Sequence, residues 1–421
     1  MSAVKASEAV RNYAVVTAAY WAFTLTDGAL RMLVLLHFHE LGYSPVQLAF
    51  LFVFYEFFGV VTNLVGGYLA ARLGLKLTLT SGLLLQVFAL GALALVRRDW
   101  GVAVSVAYVM AAQALSGIAK DLTKMSAKSY IKVLVPEDAH GALFKWVALL
   151  TGSKNALKGV GFFLGGVLLT LLGFGGALYA MAVALLAVYA ATQLSLPGNL
   201  GRARVKPKFK GLLSKNRSVN LLSAARFFLF GARDVWFVVG VPVFLYDVIG
   251  WSFSGVGAFL ALWVIGYGAI QSVAPLLIGR WTGGAVPDGK SAVILALLLA
   301  VLTAATAVAL RQGAQPLTVL VAGLGAFGVV FALNSSVHSY LILAYSDGDK
   351  VAMNVGFYYM ANAGGRLVGT LLSGILFQLR GVGGCLWGSA LFAVAAAVIS
   401  MNLPRASSVL QLKDVAVEGA D

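Results

Sequence analysis

Cysteine and histidine are scarce, and acid is outnumbered. One cysteine, Cys385, in 421 residues excludes an intramolecular disulfide and any multi-thiolate metal site. Four histidines, His37, His39, His140 and His338, are too few for a first-row metal cage, so neither metal nor cofactor is expected. His37 and His39 alternate beside Glu40 at an outer helix end and read as solvated caps. Charged residues of both signs are only 11% of the chain, far below a soluble globular domain. No nucleophile, base and orienting group stand at a recognisable spacing, which argues against an enzyme. The polar stretch from Met1 to Arg11 has no cleavage-site pattern, so the first apolar segment is expected to be retained as a span.

What fills the chain is apolar. Hydrophobic residues make up 60%, with 48 glycines and a mean hydropathy of +0.89, the mark of a polytopic membrane protein. Runs of about 20 residues, long enough to cross a bilayer, stand at 13–36, 46–70, 78–96, 102–123, 142–170 and 175–196. Six more follow at 219–245, 253–279, 291–310, 316–344, 352–378 and 383–403. The expected domains are an N-terminal six-helix bundle over 1–196, a basic cytoplasmic linker over 197–217, a C-terminal bundle over 218–404 and a cytoplasmic tail over 405–421.

A net charge of +15 raises the question of nucleic acid, but its placement answers otherwise. The linker carries seven Lys and Arg without an acid, and alternate loops place 18 cations inside against Arg97, Arg98, Arg311 and Arg380 outside. That is the positive-inside pattern, with both termini in the cytoplasm, a lipid bilayer as partner and no nucleic acid.

The chain also resembles itself at an offset of 208 residues. Leu41-Gly42-Tyr43-Ser44 returns as Ile249-Gly250-Trp251-Ser252, Arg72 as Arg280, Lys158 as Arg366, Lys154 as Asn362 and Gly173 as Gly381. An even number of spans per repeat makes the halves parallel, related by a pseudo-twofold axis along the membrane normal. The fold expected is therefore all-α and polytopic, with twelve transmembrane helices in two parallel six-helix repeats, the architecture of the major facilitator superfamily. The run Gly67-Tyr-Leu-Ala-Ala-Arg72-Leu-Gly74-Leu-Lys76 resembles that superfamily's loop motif, which places a gating role on Gly67, Arg72, Gly74 and Lys76. Ala71 stands where the motif has aspartate.

Ionisable residues at membrane depth are costly, at roughly 2.5–3.5 kcal/mol each on insertion scales, and point to function. Lys154 and Lys158 lie one turn apart on one face of span 5. Gly152, Gly159 and Gly166 permit close packing of the same helix. Around them stand Asp27, Arg31, Glu56, Lys120, Asp121, Arg226, Arg233, Asp234 and Arg366. Pairing explains some of these, Asp27 with Arg31 at i, i+4 or Asp234 with a cation on a neighbouring helix. It cannot balance all the cations against four acids, so an anionic ligand is expected. Candidate substrate-binding residues are Arg31, Lys154, Lys158, Arg233, Arg366, Lys120, Asn155 and Tyr20. Lys158 and Arg366, as repeat mates, would grip two ends of one substrate from opposite halves. Asp27, Glu56, Asp234 and His338 are candidates for proton coupling, Glu56 because Phe54, Tyr55, Phe57 and Phe58 surround it in sequence. Lys120, Lys124, Lys128 and Lys132 form a basic row that reads as lipid anchoring or anion attraction.

Several stretches go further: Tyr20-Trp-Ala-Phe-Thr-Leu-Thr-Asp-Gly-Ala-Leu-Arg-Met-Leu33, Phe54-Tyr-Glu-Phe-Phe-Gly59, Ala114-Leu-Ser-Gly-Ile-Ala-Lys-Asp121 and Gly152-Ser-Lys-Asn-Ala-Leu-Lys-Gly159. In these the chain resembles the ArsJ family of bacterial organoarsenical efflux permeases. The resemblance implies alternating-access export of 1-arseno-3-phosphoglycerate across the bacterial inner membrane, giving arsenate resistance. It also implies a functional partnership with the glyceraldehyde-3-phosphate dehydrogenase that makes this ester, and a monomer is expected. The residues themselves support a small polyanion with two charged ends. The alternatives are an organophosphate or inorganic-anion exchanger of the same superfamily, and a non-transporting membrane sensor.

Overall fold

The computed structural model describes residues 3–97, 99–134, 140–198, 216–283, 287–345 and 351–404. The expected linker and tail lie outside these residues, apart from 197, 198, 216 and 217. Among the described residues the regular structure is helical: α1 (Ala3–Glu40), α2 (Pro45–Leu51), α3 (Val53–Leu73), α4 (Leu75–Ala94), α5 (Val102–Leu134) and α6 (His140–Ser195) come first. They are followed by α7 (Arg217–Phe237), α8 (Gly240–Asp247), α9 (Phe253–Trp281), α10 (Gly289–Arg311), α11 (Pro316–Ala344) and α12 (Val351–Ser400). In lipid a backbone must satisfy its own hydrogen bonds, which leaves an apolar chain of this kind the helix.

Nine described stretches are long and apolar enough to cross a membrane. Two of them, Gly152–Ser195 and Asn354–Ser400, have 44 and 47 residues. Straight helices of that length would reach about 66–70 Å, twice the hydrocarbon thickness. Each is broken instead at a glycine with left-handed φ, Gly173 at 65° and Gly381 at 61°, so each holds two spans. With α1, which carries Asp27 and Arg31 in its second half, the described residues hold twelve spans.

The repeat is visible in backbone conformation as well as in letters. Gly42 and Gly250 both turn with positive φ, 83° and 77°. Ser44 Oγ then accepts from the Gln47 amide, and Ser252 Oγ from the Gly255 amide, the same N-terminal cap three residues on. Only glycine adopts such a φ without the Cβ clash that strains other residues.

The chain forms two compact units. The first comprises Met1–Lys210 with Val241–Gly268. Here α6 carries glycine on two faces. A Cβ on Gly161 would stand 2.6 Å from the Leu25 carbonyl of α1, and one on Gly165 2.4 Å from that of Ala29. On another face, Gly159 and Gly166 would meet the Ala261 and Phe253 carbonyls of α9 at 2.7 and 2.6 Å. Without a hydrophobic force between helices, such close van der Waals approach is what holds them. An apolar cluster of Tyr13, Val16, Tyr20, Phe23, Leu79 and Tyr130 fills another part of this unit. The second unit comprises Gly211–Gly240 with Ala269–Asp421. Its α7 and α12 pack closer still, since a Cβ on Gly365 would lie 1.9 Å from the Phe227 carbonyl. Trp236, Phe327 and Phe331 form its aromatic core. Leucines such as Leu194 and Leu262, 89% and 70% exposed, face outward to lipid.

Candidate functional site

In the first unit four helices converge their charges. Asp27 and Arg31 lie one turn apart on α1, and consecutive residues of α3 serve them: Tyr55 donates its hydroxyl to Asp27 Oδ1 at 2.5 Å, while Glu56 accepts from Arg31 Nη2 at 2.5 Å. From α6, Lys158 Nζ reaches Asp27 Oδ2 at 3.5 Å. From α5, Lys120 Nζ lies 4.0 Å from Glu56 Oε2 and 3.8 Å from Asp121 Oδ2. Lys124 pairs with Asp121 and donates to Asn63 Oδ1 at 2.6 Å. The Tyr55 ring has Lys120 Nζ 4.0 Å and Arg31 Cζ 5.1 Å from its centroid, so its π face attracts the same cations that its neighbours bind.

Glycine makes this convergence possible. A Cβ on Gly28 would stand 2.7 Å from the Lys158 carbonyl, and one on Gly117 2.3 Å from that of Tyr55. A Cβ on Gly59 would crowd Lys120 Nζ at 3.3 Å. The helices therefore come close enough for short side chains such as aspartate to meet lysines from the next helix.

In the second unit, among the described residues, one carboxylate gathers cations from two helices. Asp234 on α7 accepts from Arg233 Nε at 2.6 Å and from Arg366 Nε of α12 at 3.0 Å. Arg233 also lies over the rings of Phe230, Phe237 and Phe331, at 5.3–5.6 Å. Arg226, two turns earlier on α7, donates from Nη1 to Ser335 O and Oγ at 3.2 and 3.1 Å.

The two clusters share an arrangement. Their carboxylates are sealed: Glu56 and Asp121 have side chains 0% exposed, Asp234 1% and Asp27 5%. Their cations keep more access, Lys120 and Arg366 16% and Lys158 17%. In the first unit Arg31, Lys120, Lys124, Lys154 and Lys158 outnumber Asp27, Glu56 and Asp121 by two; in the second Arg233 and Arg366 outnumber Asp234 by one. Whichever carboxylate each cation leans on, the sum stays positive. Buried charge of one sign is costly, and an anionic ligand would offset it.

The structure brings Arg31, Lys120, Lys158, Asp27 and Glu56 into one cluster and Arg233, Arg366 and Asp234 into another. The i, i+4 pairing of Asp27 with Arg31 is replaced: Asp27 takes Lys158 and Tyr55, and Arg31 takes Glu56. Glu56 accordingly faces two cations, not an apolar ring cage. Asn155, the residue after Lys154, packs its Cβ against Gly268 of α9. Tyr20 belongs to the buried apolar cluster. His338 and Asn334 are buried on α11. Of the loop motif, Gly74 turns the chain at φ 92° into α4. Lys76 Nζ caps the end of α6 through the Gln193 and Leu196 carbonyls, at 2.8 and 2.5 Å. The side chains of Arg72, Lys128 and Lys132, and the space around Gly67, lie outside the described residues. Tyr55 is the member of the cluster that its sequence context hides, because it stands in an aromatic run.

A family model described as Major Facilitator Superfamily matches residues 16–287. The chain belongs to that superfamily. It is accordingly a multi-pass membrane transporter and not an enzyme. Its structure is similar to a crystal structure of a POT family transporter in complex with a thioalcohol-conjugated peptide. That similarity has a TM-score of 0.73 at 14% identity, covering 93% of this chain and 95% of the other. A second, of a POT family transporter in complex with 5-aminolevulinic acid, has a TM-score of 0.72 with the same identity and coverage. At that identity the likeness speaks for the fold alone. A search of curated proteins gives no match.

Proposed function

We propose that this superfamily member is a secondary active exporter of a small phosphorylated anion, with 1-arseno-3-phosphoglycerate as the cargo and arsenate resistance as the outcome. One observation carries the anionic part: in each unit the cations keep more access than the sealed carboxylates beside them and exceed them in number. Arginine suits a phosphate or arsenate group through its planar fork, and lysine serves as a point charge. The arsenical part rests on the ArsJ resemblance in α1, α3, α5 and α6. With it come the bacterial inner membrane, cytoplasmic termini, a monomer and the dehydrogenase that supplies the ester. A membrane potential negative inside favours anion exit by about 2.3 kcal/mol per charge per 100 mV when the charge is uncompensated.

The candidates for proton coupling acquire a sign from this geometry. A proton on Glu56 or Asp27 removes negative charge beside Arg31, Lys120 or Lys158 and strengthens anion binding; linkage makes the effect reciprocal. Coupling through these carboxylates would carry the proton outward with the anion, so the export proposed here draws on the membrane potential acting on the anion and not on the proton antiport that these residues also suggest from sequence. The test is arsenic uptake into inverted vesicles bathed in a glyceraldehyde-3-phosphate dehydrogenase, its substrates and arsenate, so that the ester forms at the outward-turned cytoplasmic face. Lys158→Ala and Arg366→Ala at normal protein levels should each lower uptake at least about tenfold, the worth of one lost charge-assisted contact. Normal uptake by both would remove them from substrate binding, and uptake of phosphate esters without arsenic would favour the organophosphate exchanger.

A further inference from the structure

Arg226 on α7 lies apart from the two clusters. It is 4% exposed, yet among the described residues no carboxylate lies within ion-pair distance of it. The nearest acid along α7 is Asp234, eight residues or about 12 Å away, and that carboxylate is already shared by Arg233 and Arg366. Arg226's hydrogen-bond acceptors are neutral: Ser335 O and Oγ on α11, the latter also accepting from Gln271 Nε2 at 3.2 Å. Two rings flank it, Phe230 at 3.8 Å and Tyr358 at 5.0 Å from the guanidinium carbon. Ring quadrupoles attract a cation but do not cancel its charge.

Donors remain beside it. Arg226 Nε is buried without a hydrogen-bond partner. His338 lies one turn beyond Ser335 on α11, is 1% exposed, and has no partner on either ring nitrogen. Ser335, which Arg226 Nη1 meets, and His338 stand three residues apart on one face of α11, so the imidazole lies on the face that Arg226 approaches. A neutral imidazole carries one N–H. A buried guanidinium edge and an imidazole N–H together offer two donors and one uncompensated positive charge.

We propose that Arg226 and His338 hold a small inorganic anion of halide size within the second unit, a structural counter-ion separate from the cargo site. Size follows from what is already occupied. Phe230 covers a face of the guanidinium and Ser335 takes Nη1, and the donors left without a partner are single N–H groups, Arg226 Nε and one His338 nitrogen. A single-atom anion needs only the Nε edge and the imidazole. The proposal does not depend on the cargo or on transport.

The test uses the full-length protein in detergent, with chloride exchanged for gluconate at constant ionic strength and thermal unfolding as the readout. Chloride should raise the midpoint saturably, by about 2–4 °C. Arg226→Gln should abolish the response, and His338→Phe should weaken the apparent affinity at least about fivefold, while His338→Gln, which keeps an N–H, should retain more of it. A midpoint indifferent to chloride in the wild type overturns the proposal, as does an undiminished response in Arg226→Gln. If Arg226→Gln fails to fold, anomalous diffraction from bromide-exchanged wild-type crystals decides. A peak between Arg226 and His338 supports the site, and its absence there overturns it.

Discussion

The two charged clusters solve one problem with different means. In the first unit three carboxylates, a tyrosine, an arginine and lysines from two helices share the load: Arg31 meets Glu56 and Tyr55 meets Asp27 at 2.5 Å, while Lys158 stands back at 3.5 Å from Asp27 and Lys120 at 4.0 Å from Glu56. In the second unit one sealed carboxylate, Asp234, takes two arginines at hydrogen-bond distance. Lys158 and Arg366 occupy equivalent repeat positions and each ties the fifth span of its repeat to an acid on the first. The contrast teaches that duplication preserved the place of the ion pair and let its chemistry diverge, toward a distributed network in one unit and a concentrated node in the other.

If that reading holds, the largest effect belongs to the node. Asp234→Asn leaves Arg233 and Arg366 without their anion and should cost about 3–5 kcal/mol in unfolding of the purified protein. Asp27→Asn should cost about 2 kcal/mol or less, because Arg31 keeps Glu56 and Lys158 keeps some access to water. Equal losses would erase the distinction. Next come the glycine seams. Gly365→Ala forces a methyl to 1.9 Å from a backbone oxygen and Gly161→Ala to 2.6 Å, so the first should lower the unfolding midpoint more, with a cost near 3 kcal/mol against about 1–2. Tyr55→Phe keeps the ring over Lys120 and Arg31 but deletes the bond to Asp27, for about 1 kcal/mol. A double-mutant cycle with Asp27→Asn should return most of that value as coupling. The smallest expected difference is between Gly173→Ala and Gly381→Ala. Both glycines have φ near 60° with no atom within 4 Å of a new Cβ, so each should cost about 1–2 kcal/mol of backbone strain and the two should match.

Much of this was legible in the letters, and the rest was not for a physical reason. Hydropathy and an even repeat carry the fold, and the repeat reaches down to matching left-handed glycines at 42 and 250 and at 173 and 381. Which charges lie at membrane depth is also readable, because lipid makes each one conspicuous. Partner choice is not, since it depends on how close helices approach. Asp27 and Arg31 are well placed for each other along α1, but Gly28 and Gly161 bring α6 near enough for Lys158 to reach Asp27, and α3 supplies Glu56 to Arg31. Tyr55 reads as one more ring in Phe54-Tyr55-Glu56-Phe57-Phe58, whereas its hydroxyl joins Asp27 and its face meets two cations. Tyr20, polar enough to attract notice in a span, turns into the apolar cluster instead.

The excess of cations over sealed acids is the claim from which the cargo follows. Equilibrium binding of radiolabelled 3-phosphoglycerate, a stable probe with an anionic group at each end, to the purified protein tests it most directly, with a neutral dipeptide as the control ligand. The account predicts saturable binding of the phosphoglycerate that weakens with salt and falls at least about tenfold in Lys158→Ala or Arg366→Ala, with no binding of the dipeptide. Binding of the dipeptide in place of the anion, or anion binding untouched by both substitutions, would contradict it.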